Sequence, residues 1–414
     1  MPLAQLNIES IAAGGDGVGR ANGMVVFVPR TAPGDIVDVA YDAKEGARFA
    51  RGTVRALRAA SALRVEPPCA HYIRDRCGGC QLQHLDYSAQ LEAKGAVVRD
   101  AIQRIARRAT DAPSVRPSMR QWRYRRKLTL ALRASGKGWL AGLHPYDAPA
   151  RVFQLRECPI TEDRVVAVWH AVLAAGDALP RAAELRGAVR FDDDDAASLV
   201  VEGGDHWPTP ARLLERVPAL DAIWWAPNGT RTAAACVASR RPAVAPAAAF
   251  AQVNASVAAH LTQHVIERVL AYEPAQVVDA YAGVGVTAIA LATPSRRVTA
   301  IELDAGASAR CAARLPAGSR AIEARVEDAL ESALPTDVVI LNPPRAGVDR
   351  RVTECLAHAA PAPRALVYVS CDPATLARDL GRLPTWRIAS LVSFDMFPQT
   401  AHVETVCELV PDAA

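Results

Sequence analysis

The chain has 414 residues, a formal net charge of +4, and an apolar fraction of 50%. This length predicts two or three domains, and this composition excludes a chain that is disordered throughout. Because the net charge is so small, a nucleic-acid partner has to be argued from local charge.

Targeting signals and cysteine usage indicate the compartment. No apolar run is long enough to span a bilayer, and the N-terminus lacks the basic start and apolar block of a secretory signal. We therefore expect a cytoplasmic protein without a membrane partner. Three of the nine cysteines cluster, and in a reducing compartment a cluster predicts a metal site or catalysis before disulfides.

Residues 1–60 predict a small β-barrel of the OB type. Glycines punctuate residues 14–19, and the short strands Met24–Pro29 and Ile36–Ala40 flank a turn at Ala32–Asp35. Short strands with Gly/Pro turns at this spacing favour a barrel over a helical unit. Barrels of this size often bind RNA, and the alternative is a purely structural appendage, since the charges here nearly balance.

Residues 61–240 predict a central α+β domain that contains the clustered cysteines. A cysteine-rich segment at 69–84 is followed by a helix from Tyr87 to about Arg108, and the part from residue 112 is rich in predicted strands. The candidate metal ligands are the three cysteines of this segment and one from the strand-rich part: Cys69, Cys77, Cys80 and Cys158. Four thiolates suit either tetrahedral zinc or a [4Fe-4S] cluster.

A basic stretch in the same domain predicts an RNA-binding surface. Its eight cations lie in a run without acidic residues: Arg116, Arg120, Arg123, Arg125, Arg126, Lys127, Arg133 and Lys137. Trp122, Tyr124 and Trp139 alternate with them, and guanidinium groups beside aromatic rings suit phosphates and unstacked bases. The alternative interpretation is a basic hairpin whose charged face is simply solvated.

After a linker rich in Ala and Pro at residues 242–250, strands and helices alternate, which predicts a parallel α/β sheet. The strand Gln276–Tyr281 runs into Ala282–Gly285, and the next strand, Val298–Glu302, ends in a carboxylate. A carboxylate at this spacing suits the two hydroxyls of a ribose. Since the third glycine of dinucleotide sites is missing, a nucleoside cofactor without phosphates, such as S-adenosylmethionine, fits better.

Four chemically active side chains stand at the ends of predicted strands. Tyr281 and Glu302 end the first two, Asn342 follows the strand 337–341, and Cys371 follows the strand 365–369 after one serine. In doubly wound sheets, ligands bind beyond the carboxyl ends of the strands. The sequence therefore predicts one site at one edge of the sheet.

Five signatures resemble those of the RNA uracil-5-methyltransferase family, and in particular its iron–sulfur members that modify 23S ribosomal RNA. They are Phe250–Asn254, Asp279–Gly285, Asn342–Gly347, Ser370–Asp379 and Asp395–Glu404. The resemblance covers nearly the whole chain. It implies an RNA-binding TRAM barrel over residues 1–60, an iron–sulfur RNA-binding domain over 61–240, and a Rossmann-like class I methyltransferase domain over 241–414.

The resemblance also implies roles for individual residues. S-adenosylmethionine would be contacted by Gln252, Tyr281, Glu302 and Asn342, while Cys371 would be the nucleophile and Glu404 the proton acceptor. For the four cysteines it favours a [4Fe-4S] cluster over zinc. Two positions depart from many members of the family: Asn342 stands in place of Asp, and Val286 stands in place of Asn, which removes a polar contact.

The chemistry of uracil explains why a thiol and a carboxylate are needed. Carbon 5 is a poor nucleophile, but a thiolate that adds to carbon 6 makes it enolate-like, so that it can take a methyl group from a sulfonium. A base must then remove the proton from carbon 5. We expect Cys371 and Glu404 in these roles, with the helix after Pro373 favouring the thiolate by about 1 kcal/mol.

Several alternatives remain open. The expected substrate is RNA, with 23S ribosomal RNA first and the transfer-RNA T-loop second, and no obligatory protein partner is evident. A second hypothesis is an RNA-binding module with an inactive methyltransferase half, against which the intact Cys371 and Glu404 count. A third is an N-methyltransferase that uses Asn342-Pro-Pro, but such enzymes usually have an aromatic residue where Arg345 stands.

Overall fold

The computed structural model describes residues 2–42, 47–136, 138–192, 194–228, 234–241 and 253–412. Within these ranges the chain forms three β-sheets of six, seven and eight strands. The predicted linker 242–250, Lys137 and Gln252 lie outside the described residues. No helix in the described part of the chain is both long and apolar enough to cross a membrane.

Ten α-helices connect and cover these sheets in the described residues. Their bounds are α1 Ala70–Arg74, α2 Tyr87–Ala101, α3 Asp163–Ala174, α4 Pro210–Arg216, α5 Ala255–Leu270, α6 Val286–Leu291, α7 Ala305–Ala312, α8 Val326–Ala329, α9 Arg350–His358 and α10 Pro373–Gly381. A π-helical turn, Ile102–Ala106, extends α2, and 3₁₀ turns lie at Gly176–Ala178 and Glu331–Ala333. The helix predicted after the cysteine-rich segment is confirmed as α2.

The first sheet contains the N-terminal strands. They are β1 Leu3–Asn7, β2 Ser10–Ile11, β3 Gly17–Ala21, β4 Met24–Val28, β5 Ile36–Asp42 and β6 Phe49–Ala59, in the order β1-β5-β6-β4-β3-β2. All pairs are antiparallel except β4 with β6. Alternate residues such as Leu6, Val26 and Val39 are buried in one small core, as expected for strands with one apolar face. The two predicted strands are confirmed as β4 and β5, whereas the TRAM assignment stays a prediction.

The second sheet belongs to the middle of the chain. Its strands are β8 Lys127–Ser135, β9 Gly138–Leu143, β10 Phe153–Gln154, β11 Glu184–Phe191, β12 Ala197–Glu202, β13 Ala222–Ala226 and β14 Ala235–Ser239, in the order β10-β9-β8-β11-β12-β13-β14. Leu130, Val189 and Leu199 from the sheet share a core with Trp169 of α3 and Leu213 of α4. Two helices therefore cover one face of this sheet.

The third sheet contains the strands that were predicted to have chemically active side chains at their carboxyl ends. They are β7 Ser114–Arg116, β15 Gln276–Ala280, β16 Arg297–Glu302, β17 Arg320–Glu323, β18 Val338–Leu341, β19 Ala365–Ser370, β20 Trp386–Phe394 and β21 Glu404–Pro411. Their order is β17-β16-β15-β18-β19-β21-β20-β7, and the first five are parallel. Helices cover both faces, which explains why β18 and β19 are buried along their whole length.

This strand order determines where a ligand can bind. The chain moves outward from β15 to β16 and β17, then returns to the other side of β15 to form β18 and β19. The connections after β15 and β18 therefore diverge, and they open a crevice at the carboxyl edge of the sheet. This order is that of a Rossmann-like methyltransferase fold, so the predicted α/β architecture of the C-terminal part is confirmed.

Candidate active site

The carboxyl edge of the third sheet brings together the four residues that were predicted from strand ends. Glu302 is the last residue of β16, and Tyr281, Asn342 and Cys371 directly follow β15, β18 and β19. These four strands are consecutive in the sheet. The spatial grouping follows from the parallel strands, whereas the role of each residue stays a prediction.

The Glu302 carboxylate is oriented by the backbone around it. Its two oxygens accept hydrogen bonds from different backbone amides, Gly283 N at 2.8 Å and Asp304 N at 2.8 Å. Each oxygen therefore keeps a lone pair for a second donor. Gly283 has φ +57° and no atom within 4 Å of the position of a Cβ, so there is open space above the loop.

Two exposed apolar side chains flank this carboxylate. Val286 follows the glycine turn and is 58% exposed, and Leu303 follows Glu302 and is 60% exposed. Large apolar side chains at the rim of a crevice are typical of a ligand-binding surface. Val286 and Leu303 thus add apolar surface on both sides of Glu302.

Tyr281 adopts a backbone conformation that the sequence did not reveal. Its φ is +62°, in the left-handed region that a bulky residue rarely occupies. Burial raises the pKa of its hydroxyl, as do the Glu327 and Asp349 carboxylates, whereas the backbone N–H of Asp349 lowers it. The side chain therefore lies beside the loop that follows Asn342, and such backbone strain is characteristic of functional sites.

Cys371 directly follows β19 and lies beside Glu404, the first residue of the neighbouring antiparallel strand β21. In the register of β19 and β21, Ser370 is paired with Thr405. Continuing this register by one residue places Cys371 across from Glu404, so these two side chains are neighbours. Burial raises the pKa of the Glu404 carboxyl to about 7, where it can exchange a proton at neutral pH.

Burial and two carboxylates oppose ionisation of the Cys371 thiol, and the expected stabilisation of its thiolate by the following helix stays a prediction. Burial raises the pKa of the thiol, the Glu404 carboxylate raises it further, and Asp372 adds a smaller effect in the same direction. Asp372 also caps α10, because its carboxylate accepts a hydrogen bond from Thr375 N at 2.8 Å. The positive end of the helix is thus already paired with a carboxylate, which offsets its effect on the thiol.

Arg345 contributes a positive charge to this site. Its guanidinium lowers the pKa of both Cys371 and Glu404, and it also lowers the pKa of His402. Sequence reasoning used Arg345 only to disfavour amino methylation and did not single out His402. The sequence could have indicated both residues, since each lies within one of the family signatures.

The segment that leads into Glu404 is held by a buried ion pair. Lys94 Nζ of α2 donates to Asp395 Oδ1 at 2.5 Å and to the Phe397 carbonyl at 3.1 Å. The hydroxyl of Tyr87 donates to the second oxygen of Asp395 at 2.8 Å. Lys94 and Asp395 are fully buried, so α2 of the central region fixes the start of this segment.

The four predicted metal ligands line one cavity of about 280 Å³. Burial raises the pKa of Cys69, and it raises that of Cys77 to about 11 and of Cys80 to about 12. The charge of Cys158 acts on all three in the same direction. Within the described ranges, however, no three His, Cys, Asp or Glu side chains are already arranged as metal ligands.

The basic stretch is only partly available to a ligand. Arg116, Arg120 and Lys127 are exposed. Other cations of the stretch are paired with acids: Arg123 with Asp163 at 3.1 Å, Arg126 with Asp195 at 2.6 Å, and Arg133 with Glu184. Arg125 is half-buried and lines the cysteine cavity, as Lys127 does.

Two of the aromatic rings in this stretch are not free to stack on bases. Tyr124 is 3% exposed and donates to the Pro398 carbonyl at 2.9 Å. Trp139 donates to the Gly176 carbonyl at 3.0 Å and packs on the core of the second sheet. The predicted pattern of alternating cations and aromatics is therefore wrong for these two rings, because the sequence did not reveal which side chains face the core.

Comparisons with known proteins agree on one family. The family model for tRNA (uracil-5-)-methyltransferases matches residues 317–410. An uncharacterised RNA methyltransferase of Thermosynechococcus vestitus is 31% identical, over 98% of this chain and 97% of the relative. Another, of Gloeobacter violaceus, is 32% identical over 97% of this chain and 95% of the relative.

A solved structure extends the similarity to nearly the whole chain. The tRNA (uracil-54, C5)-methyltransferase of Pyrococcus abyssi, crystallised with S-adenosyl-L-homocysteine, is 25% identical to this chain. The two structures superpose with a TM-score of 0.72, over 98% of this chain and 100% of the archaeal one. The similarity thus includes the two N-terminal sheets as well as the Rossmann-like part.

Proposed function

The chain belongs to the RNA uracil-5-methyltransferase family and is an enzyme of that class, and from this we propose that it methylates carbon 5 of a uridine in RNA. The observation that carries the proposed mechanism is the proximity of Cys371 and Glu404, which follows from the register of β19 and β21 and from the effect of the Glu404 charge on the thiol. Cofactor binding is supported by the open glycine turn at Gly283 and by the free lone pairs of Glu302. S-adenosylmethionine, when bound there, supplies the methyl group as a sulfonium.

The protein's own residues perform the remaining steps. The Cys371 thiolate adds to carbon 6 of the uracil, and the π pair of the bond between carbons 5 and 6 moves into an enolate, which makes carbon 5 nucleophilic. After methylation, Glu404 removes the proton from carbon 5, and the bond between Sγ and carbon 6 breaks to release the thiolate. A carboxyl whose pKa is about 7 suits this transfer, because it is substantially ionised at neutral pH and is not too weak a base.

Arg345 and Asn342 supply the polar surroundings of this reaction. The guanidinium of Arg345 opposes the effect of Glu404 on the thiol, so it increases the fraction of Cys371 that is ionised. Asn342 is exposed at the same edge of the sheet, and its amide can both donate and accept hydrogen bonds. We propose that Asn342 contacts the cofactor together with the edge of the uracil, while Tyr281 and Gln252 contact the cofactor.

Large-subunit ribosomal RNA is the first substrate to test, because the N-terminal barrel together with the four candidate ligand cysteines resembles the members that modify it. The transfer-RNA T-loop is the second, and the superposition with the archaeal tRNA enzyme supports it. The exposed cations Arg116, Arg120 and Lys127 are candidates for phosphate contacts in either case.

The decisive experiment uses RNA in which 5-fluorouridine replaces uridine, incubated with the protein and S-adenosylmethionine. Fluorine on carbon 5 cannot leave as a proton, so the reaction should stall as a protein–RNA adduct on Cys371, which mass spectrometry can locate. Cys371→Ala should abolish the adduct, whereas Cys355→Ala, which changes another half-buried cysteine outside the site, should retain it. Methylation of ordinary RNA without any adduct would instead favour the N-methyltransferase alternative.

For the cysteine cavity we propose a [4Fe-4S] cluster held by Cys69, Cys77, Cys80 and Cys158, with zinc as the alternative. All four are free cysteines lining one cavity, and two already receive hydrogen bonds at sulfur, from Gly79 N at 3.4 Å and from Thr161 Oγ1 at 3.3 Å. Such donors stabilise the thiolates that a cluster requires. Iron, acid-labile sulfide and zinc contents of anaerobically purified protein distinguish the two metals.

A further inference from the structure

Asp379 is a buried carboxylate that the proposed reaction does not use. It lies on α10 with a fully buried side chain. A buried carboxylate is unusual unless it accepts several hydrogen bonds. Its oxygen Oδ2 accepts from Val348 N at 3.0 Å and from the Tyr368 hydroxyl at 2.8 Å. Its oxygen Oδ1 accepts from Arg378 Nε at 2.9 Å and from Arg382 at 3.3 Å.

These partners come from three segments that meet at the active site. Val348 ends the loop that begins at Asn342 and contains Arg345. Tyr368 lies in β19, three residues before Cys371, and is itself fully buried. Helix α10 starts two residues after Cys371. One carboxylate therefore joins the loop that carries the positive charge to the strand and helix that flank the nucleophile.

Other residues of the loop 342–348 also form hydrogen bonds with α10. Thr375 Oγ1 donates to the carbonyl of Arg345 at 3.1 Å, and Arg378 donates to the carbonyl of Ala346 at 2.7 Å. Gly347 has φ +77°, and a Cβ at this position would overlap with side-chain atoms of Thr375 and Asp379. The backbone thus passes in direct contact with Asp379, and only glycine permits this approach.

We propose that Asp379 is a positioning residue that holds Arg345 beside Cys371 and Glu404, an inference that rests on the proposed function. Arg345 is exposed, so contacts of its own side chain with the core do not fix its place. Its backbone is fixed by α10, and Asp379 organises that contact from inside the protein. A shift of about 1 Å in a positioned group can slow a reaction by about 100-fold, so such an anchor has a measurable effect.

A double-mutant cycle tests this coupling with the full-length, metal-containing protein. The measured rate is that of adduct formation with 5-fluorouridine RNA, for wild type, Asp379→Asn, Arg345→Met and the double variant. We expect each single variant to react about 10- to 100-fold more slowly. If Asp379 acts through Arg345, the double variant is as slow as Arg345→Met, whereas multiplied effects would overturn the proposal.

The pH dependence provides a readout that general destabilisation would not change. Since Arg345 lowers the pKa of Cys371 and Glu404, displacing it should move the pH–rate profile of Asp379→Asn to higher pH, as in Arg345→Met. Arg382→Gln, which removes a donor to the other oxygen and touches no part of the loop, should leave the profile in place. A slower Asp379→Asn with an unshifted profile would contradict the positioning role.

A milder variant covers the case in which Asp379→Asn does not fold, which thermal unfolding and S-adenosylhomocysteine binding would show. Tyr368→Phe removes one hydrogen bond to Oδ2 and leaves the carboxylate in place, so we expect a smaller shift of the profile in the same direction. An unshifted profile for this variant would count against the proposal. Absence of the adduct in wild type would instead refute the proposed function, so the two failures are distinguishable.

Discussion

Replacing Glu404 by glutamine should stabilise the protein while it stops the reaction. The carboxyl has its pKa raised from 4.5 to about 7 by burial. The folded protein therefore holds a proton on Glu404 between these two pH values, whereas the unfolded chain releases it. Stability must fall as the pH rises through this window, because the native state binds more protons than the unfolded state.

The size of the effect follows from the two pKa values. At about 1.4 kcal/mol for each unit, ionised Glu404 costs the fold up to about 3 kcal/mol above pH 7, and partial solvent access reduces this to roughly 1–3 kcal/mol. Glutamine has nearly the same shape and no charge, so Glu404→Gln avoids this cost. The expected gain in Tm is roughly 2–10 °C at pH 8, and it should shrink towards zero as the pH approaches 4.5.

Two assays test whether Glu404→Gln is both more stable and inactive. Thermal unfolding of wild type and Glu404→Gln at several pH values between 5 and 8 gives the stability difference. Mass spectrometry with ordinary uridine RNA should show a methylated adduct retained on Cys371, because glutamine cannot take the proton from carbon 5. A variant that is less stable than wild type at pH 8, or that turns over normally, would refute the assignment of Glu404 as a buried base.

Three further changes test other parts of the structure. Lys94→Met should cost about 3–5 kcal/mol in thermal unfolding because it leaves the buried Asp395 unpaired, and adding Asp395→Asn should recover most of this loss. Cys77→Ser should abolish bound iron in purified protein, whereas Cys236→Ser, at an exposed cysteine outside the cavity, should not. Gly347→Ala should destabilise by about 1–3 kcal/mol, measured as a lower Tm, since its Cβ has no room and its φ is positive.

The edge of the third sheet could be predicted because strand ends are local signals. Apolar runs of five or six residues mark the buried parallel strands, and polar residues at their carboxyl ends must meet at one edge. That reasoning placed Tyr281, Glu302, Asn342 and Cys371 correctly. It needed no knowledge of strand order, because all ends of a parallel sheet face the same way.

Long-range pairing could not be predicted in the same way. The proximity of Glu404 to Cys371 depends on an antiparallel strand near the end of the chain, and the role of Glu404 came only from the family resemblance. Strand β7, at residues 114–116, pairs in parallel with β20 of the third sheet, a contact across more than half the chain. Lys94 lies on a helix where a lysine normally faces solvent, and only the tertiary structure reveals its buried partner.

The charged neighbours of individual side chains were the feature that the sequence predicted least well. The basic stretch was interpreted as one surface, yet the acids that pair with Arg123 and Arg126 lie about 40 to 70 residues away along the chain. The thiol at position 371 was expected to gain from a helix terminus, but Asp372 already occupies that terminus. Only folding brings the acids close to the two arginines, whereas Asp372 is adjacent to Cys371 in sequence and only its capping of α10 had to be learned from the structure.

Gln399 connects the cysteine segment to the residues that precede Glu404. The Gln399 carbonyl accepts from the backbone N–H groups of Gln81, at 3.1 Å, and Leu82, at 3.0 Å, the two residues directly after Cys80. Its side chain and backbone N–H both bond to the amide of Gln90 in α2, each at 3.0 Å. The segment 395–403, which directly precedes Glu404, therefore packs partly on the cysteine loop. Metal binding that orders this loop would also order the approach to Glu404, so a cluster can be required for methylation while it transfers no electron.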